Sequence, residues 1–218
     1  MALLTVLDDG SIDSGETWRL RGPRHIIGRT QGQILIAHDA EMSGEHAEIV
    51  CAATKWSLGD LKSKNGTFFR VNRTVLRDGS ELLLGATRFV FHQDSEPKAN
   101  TPDRREVTRT VRAPHESDSA SVARLVRHDG QGKPLVLNGK PLSLGCDAKQ
   151  CQLSIADDPC INPHHATIRR DSKGRWVIQD LDSVNGVWLR VDRVTLDDSS
   201  EFQLGEQRFR FRRLPLTK

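Results

Sequence analysis

At 218 residues, 36% of them hydrophobic and 28% charged, with a mean hydropathy of −0.51, the chain suits one large soluble domain or two ordinary ones and excludes disorder throughout. No apolar run approaches the roughly 20 residues of a membrane-spanning helix, and the start, Met1 to Asp9, meets acid too early for a signal peptide, so a cytoplasmic protein is expected. The 32 basic and 29 acidic residues leave a net charge of +3, weak ground for a nucleic-acid or membrane partner, and Cys51, Cys146, Cys151 and Cys160 make no spaced disulfide framework.

In chain order, short apolar or β-branched runs occur at Leu3–Leu7, Thr17–Leu20, His25–Ile27, Gln33–Ile36, Ala47–Cys51, Lys55–Leu58, Thr67–Val71, Glu81–Leu84 and Arg88–Phe91. Gly, Asp, Asn or Pro bound them, and no stretch holds a helical period for three turns. The runs predict an all-β unit, an antiparallel β-sandwich of about 100 residues with its loops gathered at the ends. Trp56 and Trp176 are expected in the core, and Gly28, Gly85, Gly145 and Gly205 in tight turns.

The second half repeats the first. Asp60-Leu61-Lys62-Ser63-Lys64-Asn65-Gly66 matches Asp180-Leu181-Asp182-Ser183-Val184-Asn185-Gly186 at an offset of 120 residues, and the same offset pairs Trp56 with Trp176, Arg70-Val71 with Arg190-Val191 and Leu84-Gly85 with Leu204-Gly205. Agreement through core and turn positions indicates duplication, hence tandem sandwiches at 1–94 and 122–214. The intervening 95–121, with three prolines and balanced charge, reads as a flexible linker spanning roughly 30 Å, over which the two domains could sit together or apart.

The first unit carries Gly28-Arg29, then Ser43-Gly44-Glu45-His46-Ala47, then Asn65-Gly66-Thr67. This set, in this order on an all-β unit, resembles the forkhead-associated (FHA) domain, a phosphothreonine-peptide binding module. Residue chemistry agrees with the resemblance. The planar Arg29 guanidinium can contact phosphate oxygens bidentately, Ser43 can donate its hydroxyl, and Asn65 offers an amide and a carbonyl to a peptide main chain. Lys64 could add a second positive charge, and Gly44 lies within the motif. The resemblance implies a structural part for His46, bonding neighbouring loops so that Ser43 is aimed. Asn65-Gly66 and Asn185-Gly186 also suit a two-residue type I′ hairpin turn, which would account for them without any ligand. Ser43 with His46 lacks an oxyanion loop or nucleophile elbow, so no enzyme is expected.

The second unit keeps His165, Asn185 and Gly186, but Cys146 follows Gly145 where the first has Arg29, and Asn162 stands in place of Ser43. A neutral thiol cannot replace a guanidinium, so this unit reads as a degenerate FHA-like domain. Cys146, Cys151, Cys160, His164 and His165 suggest zinc, but they lack the close Cys-x2-Cys knuckle, so neither metal nor cofactor is expected.

Similar domains select the residue three after the phosphothreonine, often through the position held here by Glu41. Its carboxylate should disfavour acidic and favour basic peptide residues, unless it points to solvent. Thr101, Thr108 and Thr110 in the linker are candidate internal ligands once phosphorylated. The function expected is therefore a non-catalytic phosphothreonine-dependent adaptor in serine/threonine kinase signalling, with a phospho-independent scaffold, or the regulatory portion of a larger protein, as the alternative. Arg208, Arg210, Arg212 and Arg213 raise nucleic acid as a third class, but a charged edge strand explains them better.

Overall fold

The computed structural model describes residues 1–7, 15–93 and 123–214. Among these there are twenty strands and no helix. The first repeat supplies β1 (Ala2–Leu7), β2 (Thr17–Leu20), β3 (Arg24–Gly28), β4 (Ile34–Leu35), β5 (Ala47–Ala52), β6 (Lys55–Asp60), β7 (Thr67–Arg70), β8 (Arg73–Val75), β9 (Glu81–Leu84) and β10 (Thr87–Gln93). The second supplies β11 (Ala123–Arg127), β12 (Leu135–Leu137), β13 (Leu142–Gly145), β14 (Leu153–Ser154), β15 (Ala166–Arg170), β16 (Trp176–Asp180), β17 (Val187–Val191), β18 (Arg193–Leu196), β19 (Ser200–Leu204) and β20 (Gln207–Arg213). Alternating burial, as in Ala2–Leu7 and Ser200–Leu204, places one face of these strands in a core. Strand β8 was not among the expected runs, because two of its three residues are arginine and threonine.

The fold is two β-sandwiches, as the repeat predicts, but neither is built from one repeat. A ten-stranded sheet runs β12-β11-β10-β9-β17-β7-β19-β20-β1-β2, and two five-stranded sheets, β14-β13-β15-β16-β8 and β18-β6-β5-β3-β4, pair with its two halves. One core joins Leu4, Ile27, Ile49, Trp56 and Leu58 of the first repeat to Leu196, Phe202, Leu204, Phe209 and Phe211 of the second. The other joins Leu82, Leu84, Phe89 and Phe91 to Leu125, Leu144, Ile168, Trp176 and Ile178. The chain crosses from the first sandwich to the second after β7 and returns after β17. These two strands pair antiparallel at the centre, from Trp188↔Arg70 to Val191↔Thr67.

Two expectations about arrangement change accordingly. The halves are not separate bodies that a linker lets drift apart, because parting them would break a continuous sheet and both cores. The segment 95–121, with Thr101, Thr108 and Thr110, lies outside the described residues, but its flanks do not bridge two domains. Gln93 pairs directly with Ala123 in the β10–β11 ladder, so the chain leaves and re-enters the same sheet at one place. Nor is β20, with its arginines, an edge strand: it lies between β19 and β1.

The outward face of the ten-stranded sheet carries a small junction cluster, Phe68, Leu83 and Trp188, each under a tenth exposed. Arginines roof it. Arg88 lies 5.0 Å over the Phe68 ring, and Arg70 and Arg208 lie 5.9 and 5.1 Å from the Trp188 ring centroid. Glu81 ties Arg88 to Arg190, and Glu201 ties Arg70 to Arg210. Burial raises the Glu81 and Glu201 carboxyls, but hydrogen bonds and charge from the paired arginines outweigh it and hold both below the ordinary value.

Candidate functional site

Three loops at one end of the first sandwich carry the candidate residues: that after β3 with Arg29, that before β5 with Glu41 to His46, and that between β6 and β7 with Lys64 and Asn65. Backbone bonds lock the first two, Arg29 N–H donating to the Ser43 carbonyl at 2.9 Å and His46 N–H to that of Ile27 at 2.9 Å. Ser43 Oγ accepts from Lys64 N–H at 3.0 Å, bringing the third loop against the second. Arg29, Ser43, Lys64 and Asn65 are thereby gathered with Arg29 half-buried and Lys64 exposed.

His46 is fully buried beneath them. Its Nδ1 accepts from Ser43 N–H at 3.1 Å, so Nε2–H is left to donate to the Gly66 carbonyl at 3.1 Å. Burial lowers its pKa, keeping the ring neutral and this tautomer in place. Asp60 and Ser63 complete the support: Ser63 Oγ donates to Asp60 at 2.6 Å and accepts from Gly66 N–H, while Thr67 Oγ1 donates to the same carboxylate.

Glycine has two different uses here. At Gly28 a Cβ would lie 2.0 Å from the Gly44 carbonyl oxygen, and at Gly145 it would lie 1.9 Å from that of Pro163. These two are close-approach glycines, not turn glycines; Gly85 and Gly205, with φ of 61° and 58°, are the turns. The Asn-Gly pairs are not type I′ turns either, since that geometry needs positive φ at both residues and only Gly66 and Gly186 show it.

Glu41 is exposed, yet its carboxylate is engaged. Asn65 Nδ2–H donates to its carboxylate at 2.7 Å and to its carbonyl at 2.9 Å. Beside them is a cavity of about 290 Å³ lined by Glu41, Asn65, Phe68, Leu83, Arg88 and Glu206, drawn from both repeats.

Sequence reasoning missed Asp39 and its counterpart Asp158, although both are almost wholly buried. Asp39 accepts from Glu41 N–H at 2.9 Å and from Glu206 N–H at 2.8 Å. It therefore pins the β19–β20 turn of the second repeat to the loop of the first that carries Glu41 and Ser43. Asp158 does the same in reverse, accepting from Ala86 N–H and the Thr87 hydroxyl. The available signal was a buried-type loop position occupied by aspartate four residues before Ser43 and before Asn162 alike.

At the second site the scaffold is superposable in its bonding: Asn162 Oδ1 accepts from Val184 N–H, and His165 links Asn162 N–H to the Gly186 carbonyl. Its exposed chemistry is not. Cys146 replaces the guanidinium, and Val184, 77% exposed, replaces Lys64. Asn185 is held at both ends, its Nδ2–H donating to the Cys160 carbonyl at 2.8 Å and its Oδ1 accepting from Arg208 at 3.2 Å. Trp188, in the place of Phe68, donates Nε1–H to the Asn185 carbonyl. Among the described residues no group of three His, Cys, Asp or Glu side chains is placed to hold a metal; Cys151 instead turns its thiol to the Pro163 carbonyl.

The FHA domain model fits the chain twice, over residues 25–85 and 142–205, more than half of its length between them. A chain from a "Structural and functional analysis of phosphothreonine-dependent FHA domain interactions" is 17% identical, with 99% of this chain and 98% of that one covered at a TM-score of 0.38. The FHA domain of CT664 from Chlamydia trachomatis is 13% identical over 98% of each chain, with a TM-score of 0.40. EmbR of Mycobacterium tuberculosis, solved with a low-affinity phosphopeptide, is 29% identical over 42% of this chain and 24% of its own, with a TM-score of 0.28. No curated protein matches. On the strength of the two family matches, the chain belongs to the forkhead-associated domain family.

Proposed function

We propose that the chain is a non-catalytic phosphothreonine-dependent adaptor in serine/threonine kinase signalling, with the first site as the reader and the second as a degenerate, phospho-independent surface. The observation that carries this reading is the gathering of Arg29, Ser43, Lys64 and Asn65 on loops locked together by Arg29 N–H to Ser43 and by Lys64 N–H to Ser43 Oγ. A phosphate dianion gains from a bidentate guanidinium, a hydroxyl and an ammonium already in place. With its amide nitrogen held by Glu41, Asn65 would offer Oδ1 to accept from a peptide N–H. Glu41 and Glu206 flank the adjoining cavity, which favours a basic side chain downstream of the phosphothreonine.

The degenerate reading of the second site rests on Asn185, whose amide is engaged at both ends, and on the missing arginine. Its exposed Val184 suits contact with an unphosphorylated protein surface. A phosphorylated Thr101, Thr108 or Thr110 would be an internal ligand at high effective concentration. A cytoplasmic setting fits a kinase-dependent reader, and no helix among the described residues is long and apolar enough to cross a membrane.

The test is titration of the full chain, wild type and Arg29→Ala, with phosphothreonine peptides each paired with an unphosphorylated twin. Phosphate-dependent binding that falls about ten- to a hundredfold in the variant is expected, the worth of one charge-assisted contact. Equal binding of both twins would overturn the reader assignment and favour the scaffold.

A further inference from the structure

Strand β8 ends the sheet β14-β13-β15-β16-β8. Leu76 N–H bonds the Trp176 carbonyl, and Asp180 N–H bonds that of Asn72. With Thr74 opposite Ile178, the even-numbered residues thus face β16 and the backbone groups of Arg73 and Val75 face outward. Along this edge is a cavity of about 670 Å³ with Val75, Val177 and Leu189 among its apolar lining and Arg73, Arg77, Arg175 and Arg190 as its cations. Asp171 is the lone carboxylate in that lining and is taken by Arg175 at 2.6 Å, while Arg190 is paired with Glu81. Arg73 and Arg77 have no ion pair among the described residues.

The internal repeat shows that the fold does not require this charge. At the equivalent edge, Arg193 is neutralised by Glu48 at 2.8 Å across Gly59. In the β8 sheet Thr167 stands across Gln179 where Glu48 would be, so Arg73 has no such partner. The turn that follows is the same in both: Arg77 N–H donates to Ser80 Oγ at 2.9 Å, and Asp197 N–H to Ser200 Oγ at 2.8 Å. One backbone thus carries arginine in one copy and aspartate in the other. The groove at that second turn is correspondingly acidic, lined by Asp197, Asp198 and Glu201 beside Arg70.

From this edge and its surplus charge we propose that β8 is a docking site for an acidic peptide, which binds as an added antiparallel strand. Outward amides and carbonyls of Arg73 and Val75 supply the ladder, Val75 receives an apolar side chain of the peptide, and Arg73 and Arg77, two residues to either side of Val75 in the same lining, take the carboxylates two positions before and after it. The site is distinct from the Arg29 loops and does not depend on their assignment.

The experiment titrates the full chain with a fluorescein-labelled peptide that carries glutamate and valine in turn at every second position, with serine between them, its glutamine counterpart, and a version N-methylated at alternate residues. Binding of the glutamate peptide alone is expected, weakened about tenfold or more by Arg73→Gln with Arg77→Asp and unchanged by Arg29→Ala. Arg77→Asp suits the fold, since Asp197 occupies the matching turn, and circular dichroism checks it. No binding, equal binding to the double variant, or undiminished binding of the N-methylated peptide would overturn the proposal. Single-stranded DNA competing as well as the peptide would also overturn it, marking a general polyanion surface.

Discussion

Truncating Phe202 to alanine separates the exchanged architecture from two self-contained repeats. Phe202 belongs to the second repeat by sequence, yet it is fully buried in the core containing Leu4, Ile27, Trp56 and Leu58, and its ring stacks on Phe209 at 5.3 Å. Removing a wholly buried phenylalanine costs about 3–5 kcal/mol, from lost transfer energy and an unfilled cavity. Converted at about 1.4 kcal/mol per tenfold, local opening should rise at least about a hundredfold. Hydrogen–deuterium exchange by mass spectrometry reads this strand by strand. Protection should fall in β5 and β6, which lie in the first repeat, and largely persist in β15 and β16. Phe89→Ala, in the other core, should show the reverse. Loss of protection in β15 and β16 with β5 and β6 intact, after Phe202→Ala, would refute the exchange.

Proteolytic cleavage within 95–121 should leave one particle on gel filtration, because Gln93 and Ala123 are ladder neighbours and both cores hold the halves together; two separate peaks without denaturant would contradict this. Replacing both Val71-Asn72 and Val191-Asp192 with Asn-Gly should let each repeat fold back on itself, so that the same cleavage now releases two halves. Asp39→Ala strips the bonds from Glu41 and Glu206 N–H, and should weaken phosphopeptide binding about tenfold, as loss of a buried partner worth about 1–3 kcal/mol implies; unchanged affinity would show that this pin does not order the reader loops. Stability should fall with acid in two stages. His46 and His165 have pKa values lowered from 6.5 by burial, so the unfolded chain binds their protons first and stability drops as pH falls below about 6.5. Glu48, held low by Arg24 first, together with Glu81 and Glu201, adds a second loss below about 4.5. A melting temperature flat from neutrality to about pH 5 would contradict the first stage.

The all-β class and the two sandwiches were legible because they depend on local signals: two-residue alternation, turn residues at fixed intervals and a repeat that persists through them. Strand exchange was not legible in those signals, since Phe202 fills in the first sandwich the place that Leu82 fills in the second, and either pairing satisfies the same pattern. The same substitution of one copy for the other hid Asp39 and Asp158, whose partners lie in the opposite repeat. One local clue did exist. A hairpin joining β7 to β8 within a repeat would turn at Val71-Asn72, and the tight turn compatible with strand twist needs positive φ at both positions. Valine resists that conformation because its branched Cβ meets the backbone. The repeat places Val191-Asp192 at the matching junction, and none of the four residues has a positive φ. A chain unable to turn there continues across, and a second copy with the same restriction returns along it, the two meeting as the β7–β17 pair. The restriction that drives the crossing also builds the junction on which Phe68, Trp188 and their arginines sit. That places Arg88 of one sandwich in the cavity beside Asn65 of the other, so the cavity next to the proposed reader loops is lined by strands of both sandwiches.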